Sequence, residues 1–478
     1  MGRLPFWRAD QKERIGKAGL DVREDTIAAI ATPTGAGGVG VLRVSGDRSE
    51  DICRRLFRPR NTIARLETHR LYHGDIVDVE TGHVLDEVLV ALMRGPRSYT
   101  GEDVLEISCH GNPLILQSVL DAVLRAGARP AEPGEFTKRA FLNNRIDLAQ
   151  AEAVADLVTA RSERGLHQAL FALKGRLSDE IRAVRASFVD VLTFLETSID
   201  FTDEDITLPD EGHYLPVLRE AVRSGRNILA TYDRGALYRN GLTAVIVGRP
   251  NVGKSSLLNR LVGEKRAIVT EIPGTTRDLI EVGVDVSGLS VRFIDTAGIR
   301  ESDQEIEREG VRLARMRSAE ADLVIAVIDG SEGFFEEDRR IMEDKRDKRV
   351  VLAINKSDLP QKVNPKEIAE NVPGVDVAVI SAKHDKGIDR LKERIAGEWG
   401  GGDKNDDDVV LTNLRHREAL RDALESAERA ARSMEEGESP EIPAFELQEA
   451  LRSLALITGE NAGDDVLDQI FSRFCIGK

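Results

Sequence analysis

The sequence predicts a multidomain α/β protein: an N-terminal α+β domain, an all-helical bundle, and a doubly wound α/β domain inserted into that bundle. Three observations predict it. Strand-like runs mix with a helical run before residue 145, whereas a helical period holds up to Asn240 and again from Arg415. Between these helical flanks, short apolar runs each end in a polar or glycine-bearing motif, the pattern of a parallel sheet with loops at its carboxyl ends. At 478 residues the chain is also long for a single core. The boundaries fall at an extension 1–24, an α+β domain 25–145, a first helical part 146–240, the inserted domain 241–400 and a second helical part 401–478. Such an insertion is tolerated because domain termini often lie close together.

The formal charge of −16 excludes a chain that binds polyanions by its overall field, so any nucleic acid must meet a local basic patch. Cys53, Cys109 and Cys475 are too scattered for a metal or redox motif, and no disulfide framework is expected. No run has the length of a membrane helix, and the first twenty residues lack the apolar core of a signal peptide. Cytoplasmic localisation and no membrane partner are therefore expected.

In order, TIAAIATPTGAGGVGVLRVSG reads as two strands around the turn Gly35-Ala36-Gly37-Gly38, which does not match a dinucleotide fingerprint. Strands follow at Arg70–Val77, Glu87–Met93 and Val104–Ser108, with a helix over Pro113–Ala126. Leu177, Ile181, Val184, Phe188, Val191 and Leu195 step by four and three, the seam of a long helix. Phe201–Ile206, FTDEDI, ends that pattern as a solvated turn, with a metal site the alternative reading of its acids. Gly400–Asp403 and Asp406–Asp408 form an acidic joint before helices at Arg415–Met434 and Phe445–Leu456.

The inserted domain opens on GLTAVIVGRPNVGKSS. The strand Val245–Val247 feeds a loop with Gly248, Gly253, Lys254 and Ser255 in G-x-x-x-x-G-K-[ST] register, and a helical period follows. Backbone N–H groups and the helix dipole cradle a polyphosphate there, Lys254 reaches the outer phosphates, and Ser255 offers a hydroxyl to Mg²⁺. Gly274-Thr275-Thr276-Arg277-Asp278 supplies a second hydroxyl, and Asp295-Thr296-Ala297-Gly298 supplies an acid at a strand end and an N–H for the γ-phosphate. The strand Val351–Ile354 ends in Asn355-Lys356-Ser357-Asp358, and Ala378–Ile380 ends in Ser381-Ala382-Lys383. An ionised Asp358 accepts both N–H donors of guanine, whereas adenine leaves it unpaired at a cost of about 1–3 kcal/mol or more. Five elements in this order predict a Ras-like P-loop GTPase that takes GTP. Ile299 stands where Ras-type enzymes carry the water-orienting glutamine, so another group must position water, with candidates in the acidic stretch Arg300–Glu307.

With ATPTGAGGVGVLRVSG, YTGEDVLEISCHG, PGEFTKRAFLNNRIDLAQAEA, GRPNVGKSSLLN, IPGTTRD, DTAGIRE and Phe474-Cys475-Ile476-Gly477-Lys478 in view, the chain resembles the bacterial tRNA modification GTPases of the MnmE (TrmE) family from Asp25 to Lys478. The resemblance implies an N-terminal domain that dimerises and binds a tetrahydrofolate one-carbon derivative through Arg43, Glu106 and Arg145, with Lys478 from the tail; the family often has lysine at Arg145. It implies nucleotide contacts from Asn251, Val252, Gly253, Lys254, Ser255 and Ser256, from Thr270, Glu271, Ile272, Pro273, Gly274, Thr275 and Thr276, and from Asp295, Thr296, Ala297 and Gly298. Asn355, Lys356, Asp358, Ser381, Ala382 and Lys383 complete the set. K⁺ is implied at Asn251, Thr270, Ile272 and Thr275, Mg²⁺ at Ser255 and Thr276, and a water-orienting role at Glu307. Cys475 is a nucleophile or a packing residue. The implied activity, with the FAD-bearing flavoprotein MnmG in a heterotetramer, places an aminomethyl or carboxymethylaminomethyl group on carbon 5 of the wobble uridine of certain tRNAs. A GTPase switch that binds RNA in ribosome assembly is the alternative, and the N-terminal domain and C-terminal motif weigh against it.

Overall fold

The computed structural model describes residues 25–62, 65–200, 211–263, 282–286, 288–294, 321–343, 348–372, 375–397, 409–460 and 462–478. It divides into two compact units, one of residues up to Ala155 with Leu454–Lys478, the other of Asp156–Ser453.

The first unit is built on a seven-stranded sheet: β1 (Ile27–Ile30), β2 (Val39–Ser45), β3 (Phe57–Pro59), β4 (Leu71–Val77), β5 (Val84–Met93), β6 (Val104–His110) and β7 (Arg129–Pro130), in the order β3-β4-β5-β6-β2-β1-β7. All pairs are antiparallel except β1 with β7. The period of two sorts the side chains of β2: Leu42 and Val44 are buried with Val88, Val90, Leu105 and Ile107 under Leu116, Val119 and Val123 of the helix Pro113–Arg125. Asn112 starts that helix by accepting from the N–H of Leu114 at 2.9 Å, with Pro113 at the first position. By the same alternation Arg43 belongs to the opposite face. There Ile27 and Ala29 pack with Ala131 and with Phe136 of the helix Glu135–Leu142.

Two helices of this unit escape the sequence pattern. Ser49–Leu56 and Glu135–Leu142 have eight residues each and are rich in charge, so only Ile52, Cys53 and Leu56 in one, and Phe136 and Ala140 in the other, mark their inner faces.

In the second unit the seam expected at Leu177–Leu195 lies on a 25-residue helix, Arg176–Asp200, with all six seam residues buried. It packs on Glu211–Ala230, which packs on Leu414–Glu435. Phe194 stacks on Tyr214 at 4.1 Å, and Arg226 grips Glu428 with two 2.8 Å bonds. A six-stranded sheet follows: β8 (Leu242–Val247), β9 (Val282–Val286), β10 (Leu289–Phe293), β11 (Leu323–Asp329), β12 (Arg349–Asn355) and β13 (Asp376–Val379). Its order is β13-β12-β11-β8-β10-β9, parallel except for the edge strand β9. Every residue of β11 is buried, as expected of a strand covered on both faces. After β8 the chain runs first to β9 and β10 on one side and then to β11 on the other, so the switch point lies at the end of β8, where a ligand crevice forms.

Candidate functional site

The phosphate loop follows β8 at that switch point and runs into the helix Lys254–Gly263. Its curl requires Gly253: φ is +98°, and a Cβ there would lie 2.2 Å from Nδ2 of Asn355. Asn251 also takes a positive φ, 62°, a region that asparagine tolerates, and it is exposed. Lys254 turns its ammonium back onto the loop, donating to the carbonyls of Gly248 at 2.9 Å and Arg249 at 2.7 Å. Burial pushes Lys254 below its ordinary pKa, a cost that an incoming phosphate offsets. Ser255 is half-buried and Ser256 exposed on the first helical turn.

Asn355 ends β12 and is 3% exposed. Its Nδ2 donates to the carbonyl of Val252 at 2.8 Å, while its Oδ1 accepts from the N–H of Ala382 at 3.0 Å, so one side chain joins the phosphate loop to the Ser381–Lys383 loop. Asp358 is exposed, with Oδ1 accepting from the Ser381 hydroxyl at 2.6 Å. That bond holds its carboxyl below the usual range, and Oδ2 lies 3.6 Å from Nε2 of His384. Lys383 is exposed beside it.

Two features were not legible beforehand. Lys356, at φ 62°, is anchored to the buried Asp329 at 2.5 Å. Burial pushes Asp329 up, but its bonds to Lys356 and Ser331 prevail and hold it low. An acid ending the otherwise apolar run LVIAVID was the available signal. Arg249 stacks on the Phe335 ring at 4.1 Å and bonds at 3.1 Å to Asp338, whose side chain is 0% exposed. Thr270, Glu271, Ile272, Pro273, Gly274, Thr275, Thr276, Asp295, Thr296, Ala297, Gly298 and Glu307 lie outside the described residues.

In the first unit, the register pairs Arg43 of β2 with Glu106 of β6, and the guanidinium donates twice to Glu106 Oε1, at 2.9 and 2.8 Å. The rings of Tyr99 and Phe136 lie 5.3 and 5.9 Å from it. Arg145 donates to the carbonyl of Ser98 at 3.1 Å, next to Tyr99. The tail reaches the same cluster: Arg43 donates to the carbonyl of Gly477 at 3.4 Å. Gly477 is again required, since φ is +93° and a Cβ would lie 2.6 Å from the carbonyl of Ile30. Phe474 is buried against Phe471, Lys138 pairs with Asp468 at 2.6 Å, and Cys475 is exposed. Lys478 is half-buried, its N–H donating to the carbonyl of Cys475. Arg139, 8% exposed, bonds Asp25, Glu102 and Glu135, and Glu102 also accepts from Ser45. This network fixes the segment that carries Tyr99.

A mostly parallel sheet with a phosphate loop at its switch point and an Asn-Lys-x-Asp element beside it defines a P-loop GTPase that binds GTP. Residues 26–145 match the family model of the GTP-binding protein TrmE N-terminus, and residues 148–475 match that of the MnmE helical domain. The tRNA modification GTPase MnmE of Syntrophus aciditrophicus (strain SB) is 49% identical over 95% of this chain and 100% of its own. That of Geobacter metallireducens is 46% identical over 95% and 99%. The chain belongs to the MnmE family of tRNA modification GTPases. Among solved structures, the G domain of the T. maritima FeoB iron transporter aligns at 30% identity over 34% of this chain and 99% of that one, with a TM-score of 0.26. Among the described residues no helix is long and apolar enough to cross a membrane.

Proposed function

We propose that the chain hydrolyses GTP as one component of an assembly that adds a carboxymethylaminomethyl or aminomethyl group to carbon 5 of the wobble uridine of certain tRNAs. The observation that carries this reading is the meeting of the N-terminal sheet and the C-terminal tail at one cluster, Arg43, Glu106, Tyr99, Phe136 and Gly477, in a chain whose other unit carries the GTPase elements. A carboxylate, a cation and two aromatic rings fit a flat, donor-rich heterocycle with an acidic tail, the chemistry of a tetrahydrofolate. When bound, such a carrier supplies the one-carbon unit. Glu106 would hold its donor-rich ring edge, Arg43, Arg145 and Lys478 would attract its carboxylates, and the rings of Tyr99 and Phe136 would exclude water.

In the GTPase site, Lys254 neutralises the outer phosphates, Asp358 accepts from the guanine edge, and Glu307 orients the attacking water. The hydroxyls of Ser255 and Thr276 are hard oxygen donors that fit Mg²⁺. The exposed amide of Asn251, with oxygens from Thr270, Ile272 and Thr275, fits K⁺, which supplies the charge an arginine finger supplies elsewhere. The domain limits 25–145, 146–240, 241–400 and 401–478, dimerisation through the N-terminal domain, a flavoprotein partner of the MnmG type carrying FAD, and action in the cytoplasm belong to the same proposal. Nucleoside analysis of tRNA from cells lacking this chain tests it: the wobble uridine is expected unmodified at carbon 5 and restored by the wild-type gene. An unchanged nucleoside profile would refute it.

A further inference from the structure

In a chain of net charge −16, the eighteen residues Cys53–Arg70 hold six arginines and a single acid, Glu67. An RNA must find cations gathered locally, and this stretch gathers them on one edge of the fold. Arg54 and Arg55 lie on the outer side of the helix Ser49–Leu56, whose inner residues Ile52, Cys53 and Leu56 are buried. β3 follows directly and is the outermost strand of its sheet, with Arg58 exposed. The Arg58 guanidinium folds back onto the helix end, donating to the carbonyls of Arg54, Arg55 and Phe57 at 3.3, 3.0 and 3.1 Å. This draws three arginines into one turn of helix, at the end whose dipole favours cations.

The acids nearby pair with Arg54 and with Arg60, which also lies 3.7 Å from Asp75, and leave Arg55 and Arg58 to the ridge. Glu50 is shared between Arg54 at 2.8 Å and Arg94 at 2.6 Å, and Glu87 is shared between Arg60 and His73, both at 2.8 Å. Among the described residues neither Arg55 nor Arg58 has a carboxylate partner. Arg54 keeps 64% of its side chain exposed. Guanidinium forks match phosphate oxygens in pairs, and duplex RNA is gripped chiefly through its backbone. β3 stands four strand spacings from β2, about 19 Å at ~4.8 Å each, so this ridge is separate from the Arg43 cluster.

We infer that the Arg54-Arg55-Arg58 ridge is a docking surface for the phosphate backbone of the tRNA substrate. The inference rests on tRNA being the substrate of the proposed reaction. Its test uses the full chain and an unmodified tRNA transcript, with filter binding measured between 50 and 200 mM KCl. The double variant Arg54→Glu and Arg55→Glu should weaken binding at least tenfold and make the log K against log salt slope shallower by about 2, one per lost phosphate contact. The neutral pair Arg54→Gln and Arg55→Gln should give a smaller loss in the same direction. Glu50→Gln, which removes a competing carboxylate, should tighten binding severalfold. GDP affinity and intrinsic GTP hydrolysis should stay as in the wild type for the arginine variants, and the neutral pair should unfold within a few degrees of it. Unchanged affinity and slope would overturn the inference. So would an equal loss from Arg421→Glu, an exposed arginine of the helix Leu414–Glu435, because binding would then follow the overall field. Failure here leaves the nucleoside profile of deletion cells unaffected, and an unchanged profile there leaves the salt slope unaffected, so the two readings fail separately.

Discussion

Replacing Asn355 by alanine should separate the phosphate loop from the base-reading loop. The side chain makes two buried bonds, to the Val252 carbonyl at 2.8 Å and from the Ala382 N–H at 3.0 Å. Its loss strands one acceptor and one donor, each worth about 1–3 kcal/mol when buried without a partner, and the neighbouring loops can close only part of the gap. About 2–4 kcal/mol is at stake. The two loops grip opposite ends of one nucleotide, so roughly half of that should appear in binding: about 1.4 kcal/mol, a tenfold loss, and the remainder in unfolding. GDP and GTP should suffer alike, because both span the two loops. Asn355→Asp should bind no better than the alanine variant, since it keeps the acceptor for Ala382 but sets a carboxylate against the Val252 carbonyl. Titration of a fluorescent GDP analogue, with thermal unfolding in parallel, checks this. GDP affinity within twofold of wild type and an unchanged Tm would refute the bracing role.

Arg249→Met should destabilise the second unit by about 3 kcal/mol, because it leaves the fully buried Asp338 carboxylate without its cation, and adding Asp338→Leu should restore much of the loss; a double-mutant cycle in denaturant measures both. Deleting Phe474–Lys478 should abolish tRNA modification and leave intrinsic GTP hydrolysis largely intact, whereas loss of both activities with a lower Tm would make Phe474 only a packing residue. GTP hydrolysis should run faster in K⁺ than in Na⁺ at equal ionic strength, and equal rates would remove the cation from the mechanism. The Arg94 bond holds Glu50 down at about 2 from its ordinary 4.5, so its contribution to stability is complete above pH 4.5 and is lost as pH falls from 4.5 towards 2. Glu50→Gln should flatten that part of the acid limb, read from urea midpoints at pH 5 and pH 3.

The phosphate loop and the strand end at Asn355 were legible because each is local. Gly253 and Lys254 are neighbours, and a strand ending in Asn355-Lys356-Ser357-Asp358 carries its guanine reader wherever the sheet puts it. The long helix was legible for the same reason, since a 3.6 period is a property of consecutive residues. The alternation of β2 determined by itself that Arg43 opposes Leu42 and Val44. It could not determine that Glu106, 63 residues on, would be the partner, because that follows from β6 lying beside β2 in this register. Nor could it bring Gly477, 434 residues on, to the same guanidinium. Asp329 under Lys356 and Asp338 under Arg249 belong to the same class. Strand neighbours, register and tail docking are chosen by the burial of whole faces against one another, a sum over many distant side chains. Only the tertiary structure performs that sum, because no single segment carries enough buried surface to decide it.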